Sequence, residues 1–203
     1  MPGFIEAHGH LMSDGALGQL VWTGCEDRPR PDGTIARGCR TIEEVIDAPD
    51  GHTGRGRQSL LQPHLLLGRH SPYQDHGSDM ARRMGAAATA LSERIAISLH
   101  SDHPLTRVNP LFTVWCAVNR RTRSGVELGA NERISAFESL AAVTLGSVYL
   151  LKRDEDLGSI EVGKFADFTV LARNPLTVEP MAIKDIAVVG TVVAGEPVTR
   201  SVR

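Results

Sequence analysis

Two histidines that stand one residue apart, His8 and His10, have the types and the spacing best suited to chemistry. They end a short apolar run of Phe4, Ile5 and Ala7, which follows a Pro-Gly pair and predicts a buried strand. Because strand side chains alternate between faces, both imidazoles are expected on one side, about 7 Å apart along the strand. Neutral imidazoles are good ligands for zinc, iron or nickel. The pattern predicts a metal site, although His-x-His also arises by chance in a chain with eight histidines.

A second candidate, Asp102, follows a strand predicted over residues 95–100. A carboxylate at the end of a strand can bind a metal and accept a proton from a metal-bound water. Alternatively, an Asp shortly before a proline can cap a turn by bonding nearby backbone amides. His100 lies two residues earlier, on the same strand face, and could add to the site. Neither His100 nor His103 has a ligand role predicted from the residues alone.

Three stretches resemble the metal-dependent amidohydrolase superfamily. Residues 2–10, Pro-Gly-Phe-Ile-Glu-x-His-x-His, resemble its first barrel strand, and residues 12–15 continue in the manner of the amidohydrolase-3, N-substituted formamide deformylase-like branch. Ser-Asp-x-Pro at residues 101–104 resembles the family's eighth strand. Residues 158–168, Gly-Ser-Ile-Glu-x-Gly-Lys-x-Ala-Asp-Phe, resemble its β-sandwich signature.

This resemblance implies an α/β fold, a (β/α)8 barrel with a small β-sandwich, which hydrolyses amide and other C–N bonds with one or two divalent metals. A complete barrel usually needs about 250 residues, whereas the chain has 203. The resemblance therefore predicts an incomplete (β/α)8 TIM-type barrel over residues 1–150, with a large internal deletion whose seam lies at about residues 47–60. Residues 151–203 are expected to supply strands of the C-terminal β-sandwich.

The same resemblance implies a ligand set and a base. His8, His10, His64 and Asp102 take metal-ligand positions, and Asp102 is also the catalytic base. His64 is equally well explained as a surface histidine. The site is expected to hold one divalent metal, with zinc the first choice, because the three lysines, all in the C-terminal part, offer no bridging ligand for a second.

Substrate-binding positions implied by the resemblance are His70 and Arg120. His70 can instead be a surface residue, and Arg120 can instead belong to a solvated cluster at a helix end, together with Arg121 and Arg123. The expected activity is hydrolysis of a small, non-peptide amide or formamide by a metal-activated water. The competing hypothesis is an inactive, truncated remnant or a gene-model fragment, whose exposed strand edges would favour a homo-oligomer.

Composition excludes several other classes of function. The net charge of −2 and the 4% aromatic content, without a long Lys/Arg run, indicate no nucleic-acid binding. No apolar run approaches about 18 residues, so no membrane span is predicted, and a cytoplasmic location is expected. The three cysteines match no zinc or redox spacing, so we expect reduced, structural thiols.

The elements that must position these residues can be predicted in outline. Helices are expected to start at Thr41, to cover residues 80–93 and 109–118, and to follow a capping box of Ser135 and Glu138 as far as residue 150. Strand-like segments are predicted from residue 60, at 95–100 and after residue 167. Two hairpins are also predicted. One lies between Gly158 and Gly163, and the other covers residues 186–198 and turns at Gly195-Glu196.

Overall fold

The computed structural model describes residues 1–6, 28–29, 35–36, 58–61, 78–102, 107–122 and 124–198. Several predictions fall outside these ranges: the helix starting at Thr41, most of the seam at 47–60, and the side chains of His8, His10, His64 and His70.

Five helices and seven strands make up the described part of the chain. The α-helices are α1 (Ser78–Arg83), α2 (Ala87–Ser92), α3 (Pro110–Asn119), α4 (Ala136–Ala142) and α5 (Leu145–Leu150). The strands are β1 (Arg28–Pro29), β2 (Ile35–Ala36), β3 (Gln58–Leu61), β4 (Ala96–Leu99), β5 (Phe168–Leu171), β6 (Val188–Val193) and β7 (Glu196–Pro197). Short 3-10 helices cover Ala130–Glu132 and Pro180–Asp185. Within these residues, no helix has the length and apolar character needed to cross a membrane.

Strand β4 lies at the centre of the core. It pairs in parallel with β3, with Gln58 opposite Ala96 and Leu61 opposite Leu99, and α1 and α2 lie on the connection between the two strands. Parallel strands joined through helices are the building unit of α/β folds. The predicted strand is confirmed, but its residues Ile97, Ser98 and Leu99 are all buried rather than alternately exposed. Helices α2, α4 and α5 contact β4, which explains burial on both of its faces.

The prediction of a single helix over residues 80–93 is wrong in one respect: the structure has two helices, because α1 ends at Arg83 and α2 begins at Ala87. Gly85 between them has φ 58°, a left-handed conformation that glycine adopts without the strain other residues meet. Ala81, Ala87 and Ala90 are buried, so the Ala-rich composition permits close packing of both short helices.

Helix α3 begins as predicted. The Asn109 side chain caps it by accepting a hydrogen bond from the Phe112 backbone N–H at 3.1 Å. The Trp115 indole donates to the Met181 carbonyl at 3.1 Å, which joins α3 to the second 3-10 helix. Cys116 is a free, fully buried thiol, as expected of a structural cysteine, and its burial raises its pKa.

The capping box that was predicted at the start of α4 is confirmed. The Ser135 hydroxyl accepts from the Glu138 backbone N–H, and the Glu138 carboxylate accepts from the Ser135 backbone N–H at 2.8 Å. The apolar helix does not run through to residue 150, however, because α4 ends at Ala142 and α5 starts at Leu145. Thr144, between them, has the non-helical dihedral angles φ −127° and ψ −88°.

The C-terminal strands form an antiparallel sheet in the order β5-β6-β7. The β6–β7 turn lies at Ala194 and Gly195, one residue earlier than predicted, with φ values of 50° and 85°. Two successive positive φ angles are typical of type I′ hairpin turns. Between Gly158 and Gly163 the structure has turns without strand pairing, so the hairpin predicted there is wrong.

Residues 1–6 connect this sheet to the core. Pro2 forms an antiparallel bridge with Phe168, and the Gly3 N–H donates to the Asp167 carbonyl at 2.9 Å. Ile5 then donates to the carbonyl of Val143, just after α4, at 3.0 Å. The buried strand predicted here is therefore wrong for the described residues 1–6, which are half-buried and form only the Pro2 bridge, although the segment is held at two points before Glu6.

Candidate functional site

Asp102 lies just beyond the carboxyl end of β4, where the sequence predicted a functional carboxylate. It is 8% exposed, and its φ of 52° is in the left-handed region, which Asp adopts more readily than most residues. Catalytic groups of α/β barrels stand at the carboxyl ends of their strands. The position and the burial of Asp102 are therefore those of a site residue in such a fold.

A bond between Glu6 and Ser101 joins this strand end to the N-terminal segment. The Ser101 backbone N–H donates to the Glu6 carboxylate oxygen Oε1 at 2.6 Å. Ser101 directly precedes Asp102, and Glu6 lies two residues before His8. Sequence reasoning gave Glu6 no function. The available signal was its place in the Glu-x-His-x-His motif, beside the predicted ligands.

Helix α5 packs against β4, the strand that leads to the candidate site. The Ser98 and Ser147 hydroxyls are 2.9 Å apart, and neither side chain is exposed to solvent. The Cα of Gly146 approaches the strand so closely that an added Cβ would lie 2.0 Å from the Ile97 carbonyl oxygen. These contacts hold the strand that carries Asp102 against the helix layer.

The residues at this strand end have the donor chemistry of a divalent-metal site. His100, which is 5% exposed, supplies an imidazole on the same strand end as the Asp102 carboxylate. Imidazole nitrogen and carboxylate oxygen are common ligands of zinc and related divalent metals. Among the described residues, no group of three or more His, Cys, Asp or Glu side chains could hold a metal ion. A complete ligand set therefore needs donors from outside those residues, and His8, His10 and His64 are the predicted ones.

The structure gives Arg120 a different place from the predicted substrate pocket. The side chain is 1% exposed, and its nitrogens donate four hydrogen bonds to backbone carbonyls. Nε bonds Leu128, Nη1 bonds Gly85, and Nη2 bonds both Arg82 and Met84, at 2.8–3.0 Å.

These bonds attach the α1–α2 turn to the chain beyond α3, and they leave Arg120 poorly placed to bind an anionic substrate. Burial lowers the pKa of Arg120, and the negative charge of Glu132 raises it by a smaller amount. Glu132 is itself 2% exposed and accepts a hydrogen bond from the Thr89 N–H at 2.9 Å. We therefore correct both interpretations of Arg120, as a substrate contact and as a member of a solvated cluster: its buried side chain connects α1, α2 and α3.

Comparison with known proteins identifies the class. A model of the amidohydrolase family matches residues 53–199, well over half of the chain. The chain therefore belongs to the amidohydrolase family. The match includes Asp102 and the β5-β6-β7 sheet and begins after the His-x-His motif.

Two relatives and one solved structure show how much of the family is present. The N-substituted formamide deformylase of Arthrobacter pascens is 34% identical over 105 residues, which are 52% of this chain and 19% of the relative. The YtcJ protein of Bacillus subtilis (strain 168) is 29% identical over 140 residues, 67% of this chain and 26% of the relative. A metal-dependent hydrolase from Pyrococcus horikoshii OT3 shares the fold with a TM-score of 0.51 and 24% identity, over 62% of this chain and 26% of that one. The chain thus spans about a fifth to a quarter of the length of these proteins.

Proposed function

We propose that the chain is a metal-dependent hydrolase that cleaves C–N bonds in small, non-peptide amides or formamides through a metal-activated water. The observation that carries the proposal is the buried Asp102 at the carboxyl end of β4, with the adjacent Ser101 bonded to Glu6, two residues before the His-x-His motif. Membership of the amidohydrolase family supports the same chemistry. The surrounding fold that we propose is an incomplete (β/α)8 barrel followed, after about residue 150, by strands of a small β-sandwich.

One divalent metal, in the first place zinc, would be held by His8, His10, His64 and Asp102. When bound, such an ion polarises a carbonyl and lowers the pKa of a water molecule toward about 7. The Asp102 carboxylate would accept a proton at one of its oxygens and return it to the departing amine, which is the ordinary work of a positioned general base. His70 is retained in the proposal as a substrate contact, and Arg120 is not.

The substrate class follows from one relative and remains part of the proposal. The Arthrobacter pascens protein is named for deformylation of N-substituted formamides, and it aligns with about half of this chain. N-substituted formamides are therefore the first compounds to screen. Hydrolysis of such a compound would yield formate and an amine, and both products can be measured directly.

Metal content per chain tests the proposal. The full-length protein is purified without chelators, and its zinc, iron, manganese and nickel contents are measured beside those of the His8→Ala/His10→Ala variant. The proposal expects about one metal per chain in the wild type and a clear loss in the variant. It also expects Asp102→Asn to lower any formamide hydrolysis by at least tenfold. A metal-free wild type, or hydrolysis unchanged in Asp102→Asn, contradicts it.

A second candidate is a non-catalytic remnant that self-associates. The observation in its favour is the number of half-exposed valines in the C-terminal sheet region, which leave apolar surface uncovered: Val170, Val188, Val189, Val193 and Val198. This candidate predicts oligomers by light scattering and no metal uptake. A metal-bearing monomer would rule it out.

A further inference from the structure

The Glu6 carboxylate connects two segments that lie far apart in the chain. Its bond from the Ser101 N–H joins residues 95 positions apart, and at 2.6 Å it is short for a bond between a backbone amide and a carboxylate. The Ser101 side chain is 1% exposed, so the bond lies at a largely buried strand end. Hydrogen bonds from a backbone amide to a carboxylate oxygen are among the stronger ones in proteins.

Both ends of this bond are anchored independently. On one side, Ile5 is held by its 3.0 Å bond to the Val143 carbonyl. On the other side, Ser101 follows the buried strand β4 directly. The carboxylate therefore acts between two supported pieces of backbone, and its removal would leave the Ser101 N–H without this acceptor.

The bond is also close in sequence to the proposed ligands on both sides. Asp102 is the next residue after Ser101, and its left-handed φ of 52° is a conformation that neighbouring contacts must hold in place. In the sequence only Ala7 stands between Glu6 and His8, so their Cα atoms can lie no more than about 7 Å apart whatever the conformation. A shift of the Glu6 side chain would thus be transmitted to both segments over a very short length of chain.

We infer that Glu6 is a positioning residue, which sets the separation between the His-x-His segment and Asp102 by holding the Ser101 amide. This inference rests on the proposed function, because it concerns the metal site assigned there. Residues that orient metal ligands typically change metal affinity by 10- to 100-fold when they are removed. Glu6 would do so without touching the metal.

Three substitutions separate the contributions of the acceptor, the charge and the length of the side chain. Glu6→Ala removes the acceptor and the charge. Glu6→Gln keeps an oxygen at the same distance from the backbone and removes the charge. Glu6→Asp keeps the charge on a side chain one methylene shorter. If the hydrogen-bond acceptor positions the site, Glu6→Gln should retain the metal affinity that Glu6→Ala loses. Glu6→Asp should retain less of it.

The experiment is a titration of the chelator-stripped, full-length chain with Co²⁺, followed by the visible spectrum of the bound ion, and a competition titration with Zn²⁺. We expect Glu6→Ala to weaken binding by about 10- to 100-fold and to alter the Co²⁺ spectrum. Glu6→Gln should stay within about threefold of the wild type. Hydrogen exchange of the Ser101 amide in metal-free protein should be fastest in Glu6→Ala.

A matched control removes a carboxylate that also accepts from a backbone N–H, but at a distance from the site. Glu138→Ala breaks the α4 capping box and should lower stability without changing Co²⁺ affinity. If the wild type binds Co²⁺ and Glu6→Ala binds it with the same affinity, this inference is wrong and the proposed function is unaffected. A wild type that takes up no Co²⁺ or Zn²⁺ would instead overturn the proposed function and this inference with it.

Discussion

The Ser98 hydroxyl on β4 lies 2.9 Å from the Ser147 hydroxyl on α5, and both side chains are fully buried. Ser147 also donates to the Ala142 carbonyl at 3.1 Å, so the proton shared by the two hydroxyls comes from Ser98. The pair links the strand that carries Asp102 to the helix behind it. Its two members are therefore not equivalent.

This asymmetry predicts unequal effects of removing either hydroxyl. Ser147→Ala takes away the acceptor of a buried donor and should lower the free energy of unfolding by about 1–3 kcal/mol. Ser98→Ala leaves Ser147 bonded to Ala142 and should cost about 1 kcal/mol. Urea denaturation of both variants and of the double variant would measure this. Strictly additive effects would show that the two hydroxyls are not coupled.

Arg120 is predicted to act on stability rather than on substrate binding. Arg120→Met should lower the free energy of unfolding by about 3 kcal/mol or more, because it removes the donors of four carbonyl bonds at a buried site. Arg120→Lys should recover little, since an ammonium cannot reproduce the planar fork of donors. Thermal and urea denaturation measure the effect.

The neighbouring exposed arginine provides the control for this prediction. Arg121→Lys should change the free energy of unfolding by less than about 0.5 kcal/mol. If an Arg120 variant kept wild-type stability while losing only substrate affinity, the substrate-binding role would have to be restored.

Gly146 is predicted to be intolerant of a side chain. The Cβ of an alanine would lie 2.0 Å from the Ile97 carbonyl oxygen, a backbone atom that cannot move aside cheaply. Gly146→Ala should therefore cost at least about 1–3 kcal/mol by forcing α5 away from β4. Gly190→Ala is the matched control, since its nearest neighbour, Val170, would be at an ordinary 3.7 Å. Similar melting temperatures for both variants would contradict this packing.

The α4 capping box should make stability depend on pH. Hydrogen bonds from the Ser135 hydroxyl and the Ser135 backbone N–H lower the pKa of Glu138. A carboxyl whose pKa is lower in the folded state stabilises the protein above its unfolded pKa, about 4.3, and this stabilisation is lost as the pH falls through the folded value. The difference in free energy of unfolding between wild type and Glu138→Gln should thus be larger at pH 6 than at pH 3. A difference that does not change with pH would exclude this role for the charge.

Part of the fold could be predicted because it depends on residues that are close in sequence. The Asn109 cap and the Ser135–Glu138 capping box each join residues three positions apart, so the residue types alone indicate them. The β6–β7 hairpin is similar, since the turn dictates where the chain reverses. The candidate site could be predicted only as separate motifs. Of the predicted metal ligands, Asp102 is the one that lies within the described residues.

What the sequence by itself determined is therefore local: helix starts, the β6–β7 hairpin, the strand β4 and a carboxylate beyond its end. Only the tertiary structure decided that α1 and α2 are separate helices, that Arg120 bonds the carbonyls of their turn, and that Glu6 holds Ser101. These features join residues 35 and 95 positions apart. No local sequence pattern encodes such pairs. Packing decides which buried backbone groups still need a hydrogen-bond partner, and each pair satisfies one of those groups.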